Sequence, residues 1–142
     1  MLENALLLIA VLALTGVLGA LWRAREGRAR AVSSELVLDA ASLGAPLAPG
    51  VTLVQLSSAT CASCPPTARA LAEVAARHEG VGVVELRVEE RLELVRALDV
   101  TRTPTVLALD ASGRVLARAS GGMRRAQVDA LLERCLEPLA LR

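Results

Sequence analysis

The sequence lacks lysine, tyrosine and phenylalanine, and its 142 residues include one tryptophan, Trp22, and one histidine, His78. Aromatic residues make up 1% of the chain, which leaves neither a stacking platform for nucleic-acid bases nor an aromatic-lined ligand pocket. The sixteen positive charges are all arginines, and the net charge is only +1. Since these arginines are spread along the chain apart from one cluster near its start, we expect no nucleic-acid partner.

Charged residues are also few, at 22% of the chain, against 54% hydrophobic residues. This composition excludes a disordered protein, and the length suits one domain of ordinary size. Because aromatic side chains are almost absent, leucine, valine and alanine must build the core.

Residues 5–22 form an uncharged stretch, ALLLIAVLALTGVLGALW, in which Thr15 is the one ordinary polar side chain. A helix of this length extends about 27 Å, close to the roughly 30 Å hydrocarbon core of a bilayer. It predicts a transmembrane anchor that ends at Trp22, a residue type common at membrane interfaces. A cleaved signal peptide is the alternative, but no arginine or lysine precedes the stretch and no small-x-small cleavage pattern follows it.

Arginines follow the apolar stretch directly, at Arg23, Arg25, Arg28 and Arg30. By the positive-inside rule, they place the rest of the chain on the cytoplasmic side of the membrane. The extracytoplasmic side is the alternative. The side matters because the redox state of a dithiol depends on its compartment.

Beyond residue 30, strand-like and helix-like hydrophobic patterns alternate. The apolar runs VTLVQL (51–56) and VGVVELRV (81–88) predict buried strands. Residues 105–119 predict a β-hairpin with a glycine-containing turn. Helical periodicity appears between the two strands, again within 91–100, and in a last stripe from Val128 to Leu136. With a leading element at 35–43, this order predicts an α/β sandwich around a mixed sheet.

Two of the three cysteines, Cys61 and Cys64, follow the first strand and open the next helix, in the sequence CASC. At the start of a helix, unpaired backbone N–H groups and the helix dipole favour thiolate over thiol. The three-residue spacing lets the two sulfurs come within bonding distance. One sulfur can attack a disulfide and the other can release it.

Three separated features resemble the thioredoxin superfamily over about residues 35–136: CASC after a buried strand, TPT (103–105) before the hairpin, and Gly121-Gly122 before the last helix. The resemblance implies a three-layer sandwich, with Cys61 as nucleophile and Cys64 as resolving cysteine. It also implies that Pro104 follows a cis peptide bond beside the dithiol, and that the backbone of Thr103 binds an extended substrate segment.

The chain departs from thioredoxins proper near the dithiol. Thr60 replaces the aromatic residue before the first cysteine, and Gln55 replaces a buried aspartate that assists proton transfer at the second. Gln55 can form hydrogen bonds but cannot titrate. Pro65 and Pro66 fit only a helix that begins late enough to hold them in its first turn, which also moves Cys61 away from the helix dipole.

The other candidate residues favour structural roles. His78, near the end of its helix, is expected to pack or to cap the helix. Cys135 lies on the inward stripe of the last helix and is expected to be an inert buried thiol. A zinc site built from these two residues and the dithiol matches no ligand spacing. We interpret the run containing Glu85, Glu89, Glu90 and Glu93, with its arginines, as solvated surface.

The sequence therefore predicts a membrane-tethered thiol–disulfide oxidoreductase without a cofactor. Its partners are protein disulfide or dithiol substrates, a separate redox partner and a lipid bilayer. The expected divisions are a tail (1–4), a transmembrane helix (5–22), a basic linker (23–34) and a thioredoxin-like domain (35–142). Two alternatives stay open, namely a tethered binding module with a static disulfide and a metal-binding protein.

Overall fold

The computed structural model describes residues 2–27, 29–31 and 37–140. Met1, Arg28, residues 32–36 and residues 141–142, which fall within the expected tail, linker and domain, lie outside the described residues. The elements are α1 (Leu2–Arg25), β1 (Arg30–Ala31), α2 (Ala40–Leu43), β2 (Val51–Ser57), α3 (Cys64–Ala75), β3 (Val81–Arg87), a 3-10 turn (Val88–Glu90), α4 (Leu92–Ala97), β4 (Thr105–Leu109), β5 (Val115–Ser120) and α5 (Arg125–Ala140).

The strands form one mixed sheet in the order β1-β5-β4-β2-β3. Strands β2 and β3 are parallel, while β4 pairs antiparallel with both β2 and β5. The predicted order of strand, helix, strand, helix, hairpin and helix is confirmed. A parallel pair needs a crossover connection, and α3 supplies it between β2 and β3.

Helices cover both faces of the sheet. On one face, Leu53 of β2 packs with Leu71 of α3 and Leu131 of α5. On the other, Val54 and Leu56 of β2 lie in a second cluster with residues of α2 and the end of α4. All seven residues of β2 are buried, as its continuous apolar run predicts. The structure is the expected three-layer α/β sandwich.

The parallel strands β2 and β3 start from paired glycines. The backbone N–H groups of Gly50 and Val51 both donate to the carbonyl of Gly80, at 2.9 and 3.2 Å. Gly80 has φ +76°, a conformation that favours glycine. From these glycines onward, β2 and β3 pair residue by residue, with Val51 opposite Val81 and Gln55 opposite Glu85.

Helix α1 exposes large apolar side chains around its whole circumference. Their exposed fractions range from 56% at Val17 to 65% at Leu7. Within Glu3–Arg25 the mean hydropathy reaches 2.5 over 18 residues, so this helix is long and apolar enough to cross a membrane. The hydroxyl of Thr15 donates to the carbonyl of Val11 at 2.6 Å, which satisfies the one ordinary polar side chain within the helix itself.

Part of the segment expected as a basic linker lies in regular structure. Arg23 and Arg25 belong to the last turn of α1, and Arg30 begins β1, which pairs antiparallel with β5. Between them, the N–H of Gly27 donates to the carbonyl of Ser120 at 3.1 Å. Only one residue, Glu26, separates the end of α1 from this first contact with the sheet.

Candidate active site

Cys61 and Cys64 form a disulfide at the carboxyl end of β2, with their Cα atoms 5.4 Å apart. The two sulfurs differ in access. Cys61 is partly exposed, whereas only 3% of Cys64 is exposed. An incoming molecule can therefore reach Cys61 first.

Helix α3 begins at Cys64, after the N-cap Ser63, and its first turn contains Pro65 and Pro66. The first-turn N–H groups have no partner within a helix, so these prolines remove no helical hydrogen bond. Cys61 lies before the helix, in a turn where its own N–H donates to Ser58 and its carbonyl accepts from Cys64. The expectation that both cysteines open the helix is therefore wrong for Cys61, whereas the late helix start required by the prolines is confirmed.

The loop before β4 lies beside the dithiol turn. The Thr103–Pro104 peptide bond is cis. The hydroxyls of Thr103 and Ser58 lie 3.0 Å apart in a hydrogen bond that joins the two loops. Because Thr105 pairs with Leu56, the register of β2 and β4 holds this loop next to the residues that precede Cys61.

The Gly121-Gly122 segment closes the other side of the dithiol turn. The N–H of Gly121 donates to the carbonyl of Pro104 at 2.8 Å, and Gly121 has φ +95°, which favours glycine. A Cβ atom at Gly122 would lie 3.3 Å from the Cβ of Ser63. The fold thus brings together the three sequence features that are separated along the chain.

Gln55 is fully buried beneath the start of α3. Its Nε2 donates to the carbonyl of Cys64 at 3.1 Å, which ties β2 to the first residue of the helix. Its Oε1 is buried and accepts no hydrogen bond from the residues that the structure describes. The side chain therefore offers one unused acceptor next to Cys64.

The comparisons with known proteins agree with this geometry. The sequence model of a family described as a thioredoxin-like domain matches residues 47–136. This chain belongs to that thioredoxin-like family. A search of curated proteins finds no significant match.

Several solved structures share the thioredoxin-like fold at low sequence identity. Thioredoxin-2 of the malaria parasite, described as a component of its protein secretion machinery, is 16% identical with a TM-score of 0.55, over 60% of this chain and 82% of that chain. A Schistosoma mansoni thioredoxin pre-protein is 19% identical with a TM-score of 0.54, over 61% and 79%. A thioredoxin-like protein from Clostridium perfringens is 23% identical with a TM-score of 0.55, over 62% and 72%.

A shallow depression of about 390 Å³ lies beside the dithiol of this thioredoxin-like domain. Cys61, Cys64, Glu85 and Arg87 contribute to its lining. Glu85 lies directly opposite Gln55 in the parallel register and therefore shares its face of the sheet. Glu85 was predicted to be solvated surface and not part of the site, although Gln55 and Glu85 each stand five positions after a glycine that precedes a strand.

Glu89 also contacts the dithiol turn. Its Oε1 accepts a hydrogen bond from the N–H of Ala59 at 3.0 Å. This bond is the main reason that the pKa of Glu89 lies below its ordinary value. The interpretation of the whole acidic run as solvated surface is thus incomplete, because Glu85 and Glu89 both border the candidate site.

The remaining candidate residues lie away from the dithiol. His78 follows the end of α3, and its Nδ1 donates to the carbonyl of Val74 at 3.0 Å, so its expected capping role is confirmed. Cys135 is a buried free thiol in the core between α5 and the sheet. Among the described residues, no three His, Cys, Asp or Glu side chains are grouped so that they could hold a metal ion.

We expect Cys135 to resist alkylation in the folded chain. Burial raises its pKa to about 11, so the thiol stays protonated at neutral pH and no reactive thiolate forms. With the Cys61–Cys64 disulfide intact, the full chain in detergent should incorporate iodoacetamide at pH 8 only after denaturant is added, as measured by mass spectrometry. Rapid labelling of Cys135 without denaturant would contradict the buried placement.

Proposed function

We propose that this chain is a membrane-tethered thiol–disulfide oxidoreductase that exchanges disulfides with protein substrates through its CASC dithiol. One observation carries the proposal: a partly exposed Cys61 is bonded to a buried Cys64 beside the loop that contains Thr103 and Pro104. A solely structural disulfide needs no such difference in access between its sulfurs. The thioredoxin-like fold supports activity on protein thiols in general.

In the reducing direction, the Cys61 thiolate attacks one sulfur of a substrate disulfide. That bond breaks, one substrate sulfur leaves as thiolate, and Cys61 forms a mixed disulfide. Cys64 then loses its proton and attacks the sulfur of Cys61, which releases the second substrate thiolate. Two electrons pass to the substrate, and a separate dithiol partner must reduce the new Cys61–Cys64 bond. The oxidising direction is the reverse.

The proton of Cys64 needs an acceptor, and Gln55 cannot titrate. We assign this role to Glu85, because its carboxylate borders the same depression as Cys64 and stands opposite Gln55 on the sheet. Arg87 is the other charged residue that lines this depression.

Replacing Glu85 with glutamine tests this assignment. We expect the release of mixed disulfides to slow by roughly tenfold, below the hundredfold or more that a directly bonded general base supplies. Glu93→Gln is the matched control, because Glu93 is exposed and lies outside the dithiol depression. Stopped-flow measurement of product release across pH 5–9 distinguishes the two variants. Equal rates for both would remove Glu85 from the mechanism.

Substrate binding is assigned to the loop of Thr103 and Pro104. Thr103 is partly exposed, and its hydroxyl is held by Ser58. This contact supports the proposal that the backbone of Thr103 binds an extended peptide segment next to the turn that contains Cys61. We assign catalytic roles to Cys61 and Cys64 and a substrate-binding role to this loop.

The exposed apolar surface of α1 supports insertion into a bilayer, with Trp22 at the interface. Arg23 and Arg25 then lie at the headgroups, and by the positive-inside rule we propose that the domain faces the cytoplasm. A membrane-impermeant thiol reagent applied to intact cells after mild reduction tests the side. Labelling of Cys61 from outside would reverse the orientation.

A redox titration of the full chain in detergent tests the activity. Thiols are trapped by alkylation in glutathione buffers, and Cys61→Ser and Cys64→Ser serve as controls. A reversible two-electron couple supports the proposal, and its potential separates a reductant near about −270 mV from an oxidant near about −120 mV. Without a reversible couple, the proposed oxidoreductase activity is wrong, and a tethered binding module accounts better for the fold.

A further inference from the structure

The dithiol, the Thr103–Pro104 loop and the Gly121-Gly122 segment lie at one edge of the sheet. The pairing of Leu56 with Thr105 joins the carboxyl end of β2 to the amino end of β4. The pairing of Thr105 with Ser120 joins the same end of β4 to the carboxyl end of β5. We call this the dithiol edge, defined by residues 58–64, 103–104 and 121–122.

Helix α1 joins the domain at the same edge. The N–H of Gly27 donates to the carbonyl of Ser120. The side chain of Gln127 donates to the carbonyl of Glu26 at 2.9 Å. The side chain of Glu26 also reaches the Gly121 position, where a Cβ would lie 3.5 Å from its Cγ. The end of the apolar helix is therefore fixed next to the segment that contacts Ser63.

The joint between the helix and the domain is tightly packed. Gly27 has φ +67°, and a Cβ atom there would lie 2.7 Å from the carbonyl oxygen of Gly122. A side chain at this position is therefore excluded by both conformation and space. The short connection leaves no flexible spacer between Arg25 and the dithiol edge.

We propose that the dithiol faces the bilayer surface and acts on disulfides that membrane proteins carry close to that surface. This inference rests on the proposed membrane tether and oxidoreductase activity, and it names the substrate class of the same dithiol. It excludes substrates whose disulfides stand far above the membrane.

The contact distances limit how far the dithiol lies from the membrane helix. The path runs from Glu26 to Gly121, along Gly122 to Ser63, and on to Cys61, whose sulfur is 3.8 Å from the Ser63 hydroxyl. With Cα atoms about 3.8 Å apart along the chain, this path places Cys61 within roughly 25 Å of Glu26. Glu26 follows Trp22 by one helical turn, which is about 6 Å.

The charges around the joint suit a surface of anionic lipid headgroups. Arg23 and Arg124 line a common depression together with Glu26, and Arg25 lies in the same last turn of α1. Arg102 is exposed directly before Thr103. An anionic membrane surface attracts nearby basic residues, so these arginines favour a dithiol edge turned toward the bilayer over one turned away.

The first experiment measures this orientation without relying on activity. The full chain is reconstituted in vesicles with a fluorophore on Cys61 in a Cys64→Ser, Cys135→Ala background. The reference fluorophore is attached through Ser112→Cys, with all three native cysteines replaced. Ser112 is exposed in the β4–β5 turn, which precedes β5, whereas Ser120 is at the other end of that strand. The six residues of β5 span roughly 20 Å, so the reference fluorophore is about that far from the Ser120 end of the strand.

Lipids with a spin label on the headgroup should quench the Cys61 fluorophore more strongly than the Ser112→Cys fluorophore. A ten-residue glycine–serine insertion after Arg25 should reduce this difference, because it frees the domain from the end of the helix. Equal quenching of the two positions in the chain without the insertion, or stronger quenching at Ser112→Cys, would overturn the proposed orientation.

The second experiment separates the substrate class from the activity itself. The reduced chain in vesicles is offered a pyridyl disulfide either in solution or on a phospholipid headgroup with a short spacer. We expect the lipid-borne disulfide to react at least about tenfold faster at equal bulk concentration, because both partners share one surface. Reaction with the soluble probe alone overturns the inference but leaves the oxidoreductase intact. Reaction with neither probe overturns the proposed function as well.

Discussion

Replacing Cys61 with serine is expected to reduce thiol–disulfide exchange by roughly 10³-fold or more, because loss of the nucleophile in a covalent mechanism has effects of at least that size. Replacing Cys64 should instead preserve the first attack and block the release step. The Cys64→Ser variant should then accumulate as a mixed disulfide with a peptide disulfide substrate. Non-reducing mass spectrometry of the full chain in detergent detects this species.

The matched control for these variants is Cys135→Ala, since Cys135 is buried and takes no part in the proposed exchange. Its exchange rate should stay within about twofold of the unmodified chain, as expected for a substitution remote from the reacting atoms. If Cys64→Ser loses the first attack and Cys61→Ser forms the mixed disulfide, the two roles are reversed.

Leu71→Ala is expected to destabilise the domain by about 2–5 kcal/mol, the range for removing a fully buried leucine side chain. Leu71 is 0% exposed and packs α3, the helix that begins at Cys64, against the sheet. The single tryptophan lies in α1 and reports poorly on the domain. Unfolding in urea is therefore best followed by pulsed alkylation of the buried Cys135 with the Cys61–Cys64 disulfide intact.

The control for Leu71→Ala is Leu92→Ala, because Leu92 is 55% exposed at the start of α4. Its effect should stay within about 0.5 kcal/mol, as for most surface substitutions. Equal destabilisation by the two substitutions would contradict the packing of α3 on the sheet.

The sequence predicts well those elements whose cause is local. Strand β2 and the β4–β5 hairpin follow from apolar runs with a glycine turn, and they appear with nearly the expected bounds. The start of α3 could be inferred from Pro65 and Pro66, because prolines in the first turn of a helix remove no helical hydrogen bond. The resemblance of three short motifs was enough to predict the fold.

Pairings between distant segments could not be predicted in the same way. Arg30 and Ala31 carry no strand pattern, and β1 exists only because β5 offers an unpaired edge. The contact of Glu89 with Ala59 depends on a loop conformation that no periodicity encodes. The position of Glu85 beside Gln55 required the exact strand register, which the paired glycines Gly50 and Gly80 determine.

The pairing of β1 with β5 also determines which edge of the sheet is left for contact between copies of the domain. It covers one margin of the sheet, and in the part of the chain that the structure describes, β3 pairs only with β2 and forms the opposite margin. A bare strand invites pairing with another copy, and confinement to a membrane raises the local concentration of copies. Val83 on β3 is 37% exposed, but the charged Glu85 and Arg87 follow it on the same face. These charges oppose the stacking of neighbouring domains into aggregates through β3.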